Sequence, residues 1–228
     1  MNTLTTARVR RVLNRLRAEE RRERPELVAL GGELADRARR VPDRPRYDLP
    51  VAEMSELFAG LRIPVSAETG NLLHLLARFA TAKTVVEFGT SFGVSAIYLA
   101  SAVRDNGDGR VIGTELHPDK VRAARANLAE AGLDDLVEIR EGDARTTLRD
   151  LPGEVDLVLV DGFPGTHLEV LRLVEPSLRQ GALVVSDGVP GGGEILRDYH
   201  DYVHDPANGY STIEIPLGDG LEVSVRLR

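Results

Sequence analysis

Between residues 83 and 187 the chain alternates short β-branched runs with helix-like stretches, and no other feature restricts its fold as strongly. The runs KTVVEF, GRVIGTEL, LVEIREG, VDLVLVDG and ALVVSDG are apolar on both faces, whereas a strand with one wet face would alternate. Between them SAIYLASAV, PDKVRAARANLAEAG, ARTTLRDL and THLEVLRLVEPSLRQG read as helices. Strands buried on both sides and separated by helices require a mostly parallel sheet covered on both faces, a doubly wound α/β domain. The C-terminal YSTIEIPLGDGLEVSVRLR departs from this rhythm. Its two strand-like runs, joined through Gly218, Asp219 and Gly220, predict an antiparallel hairpin at the sheet edge and bring the strands to seven.

Upstream, AEMSELFAGL and SAETGNLLHLLARFAT read as helices, the second N-capped by Ser66 and expected to turn Leu72, Leu73, Leu75, Leu76 and Phe79 inward. His74, inside that leucine-rich segment, is expected to be structural. In TARVRRVLNRLRAEERRER, Val9, Val12, Leu13 and Leu16 recur at helical spacing and draw a narrow apolar stripe on an arginine-covered helix. Residues 1–50 hold thirteen arginines against eight acids, roughly +5, so with a total of −7 the remainder carries about −12. The stripe suits docking on the core or on a second subunit, hence an expected homodimer. A basic face for RNA and a transit peptide are the competing readings. RRVPDRPRYDLP reads as a linker, so residues 1–62 form an arm and residues 63–228 the main domain.

With no cysteine there is neither a thiolate nucleophile nor a zinc–cysteine site, and any metal must be held by oxygen or histidine. No apolar run approaches the roughly twenty residues of a membrane span and no secretory signal opens the chain, so a cytoplasmic protein is expected.

In doubly wound sheets, ligands bind where the strands' carboxyl ends open into a crevice. After the first strand comes EFGTSFGVS, where Gly89 and Gly93 allow a tight turn and the next helix offers N–H groups from Ser91 onward. The glycine spacing differs from the G-x-G-x-x-G of dinucleotide enzymes, which disfavours an NAD-dependent reductase. After the second strand, Glu115 stands where a carboxylate accepts ribose hydroxyls. After the third, Asp143 suits an adenine amine, or simply caps a helix, and Ala144 leaves room for a flat ring. This succession fits an adenosyl group without pyrophosphate.

The ordered set IPVSAETGNLL, TVVEFGTSFGVSAIYLA, VIGTELHP, REGDA, DLVLVDG, GALVVSDGV and PLGDGLEVSVR resembles the S-adenosylmethionine-dependent O-methyltransferases of the catechol and caffeoyl-coenzyme A type, from about Ile63 to the C-terminus. The resemblance implies a Rossmann-like class I methyltransferase fold. It implies that Val65 and Ser66 lie near the methionine part of the cofactor, and that Glu87, Gly89, Thr90 and Ser95 bind its amino acid end. It further assigns Glu115 to the ribose, Asp143 and Ala144 to the adenine, and Asp161 both to the cofactor and to a divalent cation such as magnesium. In metal-dependent members the fifth strand ends in Asp-Asn. Here the pair is Asp187-Gly188, which leaves Asp161 and Asp187 as the metal ligands, and the family's Asp-Ala-Asp-Lys is replaced by Asp161-Gly162-Phe163-Pro164.

Methyl transfer from a sulfonium asks mainly for in-line alignment and exclusion of water. Lowering a phenol's pKa from about 10 to about 7 takes roughly 4 kcal/mol, work for a cation or for a base such as His167, six residues after Asp161. His200 and His204, four apart, are expected to face solvent on a lid, and EILRDYHDYVHDP to form a mobile wall beside a mouth widened at Gly188. The expectation is a methyltransferase acting on a hydroxyl of a small, phenolic acceptor. An RNA-modifying methyltransferase and a non-catalytic cofactor-binding module are the alternatives.

Overall fold

The computed structural model describes residues 2–40, 49–188 and 193–228. Helix α1 (Ala7–Arg40) is followed by α2 (Val51–Leu57) and α3 (Ala67–Phe79). Then β1 (Thr84–Phe88), α4 (Val94–Asn106), β2 (Arg110–Glu115), α5 (Pro118–Ala131), β3 (Val137–Glu141), α6 (Ala144–Thr147) and β4 (Val155–Val160) alternate. Helix α7 (His167–Val174), β5 (Leu178–Asp187), α8 (Arg197–His204), β6 (Tyr210–Ile215) and β7 (Leu221–Arg226) complete the chain. The seven strands lie in the order β3-β2-β1-β4-β5-β7-β6. The first five are parallel, and β7 runs antiparallel between β5 and β6. The strand order reverses beside β1, so a crevice opens at the carboxyl ends of β1 and β4.

Two boundaries differ from the sequence expectation. ARTTLRDL yields only the four-residue α6, and RQG belongs to β5, because Pro176 ends the helical path and the strand begins at Leu178. The β4–β5 register absorbs the early start in an irregularity between Val155 and Leu157.

The apolar stripe of α1 docks within its own chain: Val9, Val12, Leu13 and Leu16 are buried in one cluster with Leu128, Ala131 and Leu133. Arginines reinforce it. Arg8 donates to the Ala129 carbonyl at 2.7 Å, near the end of α5, and Arg15 to Asn127 Oδ1 and Glu130 Oε2, both at 2.7 Å. The stripe is therefore not available for a subunit contact, which removes the basis on which a homodimer was expected. The helix extends through Pro25 to Arg40, past the start of the expected linker, whose residues 41–48 lie outside the described ones. Its distal part joins Leu34 to Met54, Phe58 and Leu61 in a separate small core.

In α3 the Ser66 hydroxyl accepts from Thr69 N at 2.9 Å, as an N-cap does. Leu73 and Ala77 turn inward. Leu75 and Phe79, one turn apart on the opposite face, are 62% and 92% exposed, contrary to expectation. The inner face is set by Gly70, where a Cβ would come within 2.4 Å of the Tyr98 ring of α4. His74 is buried, its Nδ1 3.2 Å from the Tyr98 carbonyl, a structural histidine as the sequence suggests.

Candidate active site

A shallow cleft, open to solvent, lies over the tips of β1 and β4 and is lined among others by Val65, Gly89, Thr90, Ser91, Ser95 and Asp161. The loop after β1 is compressed against β4. Gly89 has φ +96°, and a Cβ there would lie 2.3 Å from the Asp161 carbonyl oxygen. Glycine is required for a second reason at Gly113 in β2, where a Cβ would meet Thr90 Oγ1 at 2.2 Å. Glu87, at the end of β1, is fully buried; Thr90 Oγ1 donates to its Oε2 at 2.7 Å, and its Oε1 has no hydrogen-bond partner. Burial raises the Glu87 pKa, opposed by the neighbouring hydroxyls of Ser95 and Thr90.

Glu115 holds two loops together. Its Oε2 accepts from Ser91 N and its Oε1 from His117 N, both at 2.8 Å. Ser91 N is thus already engaged rather than free, and α4 begins only at Val94. A carboxylate has about four lone-pair sites, so two remain for a ligand. Asp143 is both N-cap and ion-pair partner: Oδ1 accepts from Arg145 N at 2.9 Å and Oδ2 from Arg145 Nη2 at 2.6 Å. That pairing holds its pKa below the ordinary carboxylate value. Ala144 beside it is buried, and Ser66 lies against the hairpin tip, within 3.3 Å of where a Gly218 Cβ would sit.

At the tips of β4 and β5 the acids repel one another. The Asp161 carboxyl is pushed well up by burial, then by the charges of Asp187, Glu87 and Asp219. Asp187 is raised to about 6 by burial and by Asp219, and its buried Oδ1 has no partner among the described residues. Gly188 has φ +77° with nothing within 4 Å of a Cβ, and its N–H donates to the Gly220 carbonyl at 2.8 Å. Residues 189–192, beyond it in the expected mouth, lie outside the described ones.

His167 does not reach this cleft. It is 2% exposed, packed edge-on between Phe88 and Tyr199. Its Nε2 lies 3.0 Å from the Gly162 carbonyl and its Nδ1 3.2 Å from Ser186 Oγ. Because a carbonyl only accepts, Nε2 carries the proton. Burial pulls the pKa down to about 4. The expected base is thus a neutral core histidine. Two other expectations change: the EILRDYHDYVHDP wall is anchored through buried Leu196, Tyr199 and Val203, and His200 and His204 face acids of the hairpin.

Sequence reading passed over three residues. Asp219 was visible only as a turn residue. Arg62 and Phe92 line the cleft, the guanidinium 4.2 Å over the ring and held by Glu19 at 3.0 Å and by Glu23, both of α1. No local pattern pairs residues so far apart in sequence.

Residues 86–189 match a family model described as a methyltransferase domain. The chain is 39% identical to a catechol O-methyltransferase of Mycobacterium tuberculosis over 61% of this chain, and the match spans 63% of that relative's length, somewhat under two thirds. It is 34% identical to a protein assigned as an O-methyltransferase in Mycobacterium sp. strain JLS, over 71% of this chain and 79% of the relative. Among solved structures, the O-methyltransferase TomG from Streptomyces achromogenes, involved in tomaymycin synthesis and crystallised with S-adenosylmethionine, superposes with a TM-score of 0.67 at 30% identity, over 78% of this chain and 88% of that one. With the strand order, the acids at the strand tips and these likenesses together, the chain belongs to the S-adenosylmethionine-dependent O-methyltransferase family.

Proposed function

We propose that the protein transfers the methyl group of S-adenosylmethionine to a hydroxyl oxygen of a small, phenolic acceptor. The observation that carries this reading is Glu87, a buried carboxylate directly behind the cleft-lining Thr90 and Ser95, whose Oε1 is left unpaired among the described residues, as the amino group of a methionyl tail would require. Glu115, with lone pairs left over, receives the ribose hydroxyls. Val65 and Ser66 border the methionine moiety, and Gly89, Thr90, Ser91 and Ser95 enclose its amino acid end. Asp143 accepts from Arg145 N, Nε and Nη2 on both oxygens, so it takes an adenine amine only if Arg145 yields one of these bonds, and Ala144 and the shape of the pocket carry more of the adenine recognition.

Asp161 and the orphaned Asp187 Oδ1 fit a divalent cation such as magnesium, which keeps several waters and needs only one or two carboxylates. Such a cation, when bound, supplies Lewis acidity that lowers the pKa of an acceptor hydroxyl. The chain's own part is to hold two acids at adjacent strand tips, to align the acceptor oxygen behind the methyl group and to keep water out. With His167 sealed in the core, proton removal falls to Asp161 and Asp187. The catechol activity named for the mycobacterial relative supports a phenolic acceptor.

Among the described residues no helix is long and apolar enough to cross a membrane, consistent with the proposed cytoplasmic location. The proposed homodimer would use the exposed Leu75 and Phe79 of α3 rather than the stripe of α1. Calorimetry with S-adenosylmethionine, followed by transfer of labelled methyl to catechols with magnesium and with chelator, tests the reading. Absence of cofactor binding refutes it, and binding without transfer to any phenol restricts the protein to holding the cofactor.

A further inference from the structure

We propose that His200, His204, Glu214 and Glu222 form a second cation site, separate from the cleft, that takes a zinc-like divalent ion and pins α8 to the C-terminal hairpin. One ligand atom from each of the four lies within 4.8 Å of all the others. The two histidines sit one turn apart on α8, their rings stacked at 4.2 Å. His200 Nε2 faces Glu214 Oε1 at 3.3 Å, and His204 Nε2 faces Glu222 Oε1 at a shorter distance.

The hairpin supplies the reason for a cation. Glu214 and Glu222 are directly opposite in the β6–β7 register, and like charges in that relation destabilise a sheet. Glu222 is also fully buried, and its Oε2 has no hydrogen-bond partner. Protonated histidines alone would bring two imidazolium rings into a repelling stack. A divalent ion offsets the two facing carboxylates while leaving both imidazoles neutral.

The outer partner is present as well. His200 Nδ1 lies 3.2 Å from Asp201 Oδ1, an outer acceptor that holds a proton on Nδ1 while Nε2, which faces Glu214, gives up its own to a bound metal. Zinc bonds of about 2.0–2.2 Å place tetrahedral ligand atoms roughly 3.3–3.5 Å apart, a contraction that small side-chain rotations provide. Nitrogen and carboxylate donors without sulfur suit zinc or a neighbouring transition ion. Glu222 pairs with Ser186, and consecutive strand residues point to opposite faces, so the cluster lies across the sheet from Asp187. It also lies outside the stretch matched by the methyltransferase domain model.

The test is calorimetric titration of the chelator-treated full-length protein with zinc chloride, with cobalt absorption reporting the coordination. Expected are one ion per chain, a tetrahedral cobalt spectrum and a rise in Tm, all retained when Asp161→Asn and Asp187→Asn are combined. His200→Ala and Glu214→Gln alter part-exposed side chains, and each is expected to weaken binding by at least the 10–100-fold typical of losing an outer partner. Circular dichroism checks that both variants fold. No zinc binding, binding abolished by the Asp161→Asn and Asp187→Asn pair, or binding undiminished in folded His200→Ala overturns the proposal.

Discussion

Along one edge of the sheet, the acids after β2 and β3 and those after β4 and β5 are held in opposite ways. Glu115 and Asp143 are already engaged by backbone N–H groups and by Arg145, which fixes them before any ligand arrives. Asp161 and Asp187 have no arginine partner among the described residues, are pressed by each other's charge and by Asp219, and have raised pKa values, opposed at Asp187 only by the Gly188 N–H. The first half of the edge is a cradle whose shape the chain has already set. The second half gathers acids whose charged forms burial and mutual repulsion disfavour, and perturbed groups of this kind mark where chemistry, as distinct from recognition, is to be expected.

The sharpest way to break this comparison is Asp161→Asn. If Asp161 serves proton removal, kcat for methyl transfer falls on the order of 10²–10⁴-fold, whereas the Kd for S-adenosylmethionine in calorimetry moves far less. An equal loss in both quantities would place Asp161 with the cradle.

His167 gives the next largest effect. Its folded pKa of about 4 lies below the ordinary value of 6.5, so between those values the unfolded chain binds a proton that the folded one refuses. Stability is therefore lost as pH falls from about 6.5 to 4, by roughly 3 kcal/mol from this group. Urea unfolding across that range measures the loss, and an NMR titration midpoint near 6.5 would return the imidazole to the candidates for a base.

Glu115→Gln tests the cradle. A neutral amide keeps one acceptor and loses charge-assisted bonds worth about 1.5–3 kcal/mol, so cofactor affinity is expected to drop roughly 10–100-fold. Unchanged affinity would mean that the ribose lies elsewhere.

The smallest effects contrast two glycines. Gly89→Ala meets a backbone oxygen and adopts positive φ, and should cost about 1–3 kcal/mol of stability. A Cβ at Gly188 meets nothing among the described residues, and asparagine tolerates the left-handed region, so Gly188→Asn should cost under about 1 kcal/mol. The added amide oxygen should tighten magnesium binding beside Asp187. Chemical denaturation and magnesium titration read both outcomes.

The sheet was legible because burial on both faces leaves a direct trace in apolar runs, and the Ser66 cap because capping is local. The side chains at strand ends were legible as a list, since parallel strands bring their ends to one edge. What each side chain does there was less so. His167 sits six residues after Asp161, a spacing compatible with either cleft or core, and only the packing of Phe88 and Tyr199 around it decides. Leu75 and Phe79 misled because one hydrophobic helix has two faces and only Gly70 marks the inner one. The four-residue cation cluster joins a helix to two strands and has no signature in any single stretch.

Arg62 stands at the rim of the cleft, yet its position is dictated by Glu19 and Glu23, more than three turns along the first helix. Anything that shifts that helix on the body of the protein, whether another macromolecule, an added charge or a lost arginine, also moves a wall of the pocket. The amino-terminal helix thus fixes one side of the cleft from a distance, through two carboxylates and a single guanidinium.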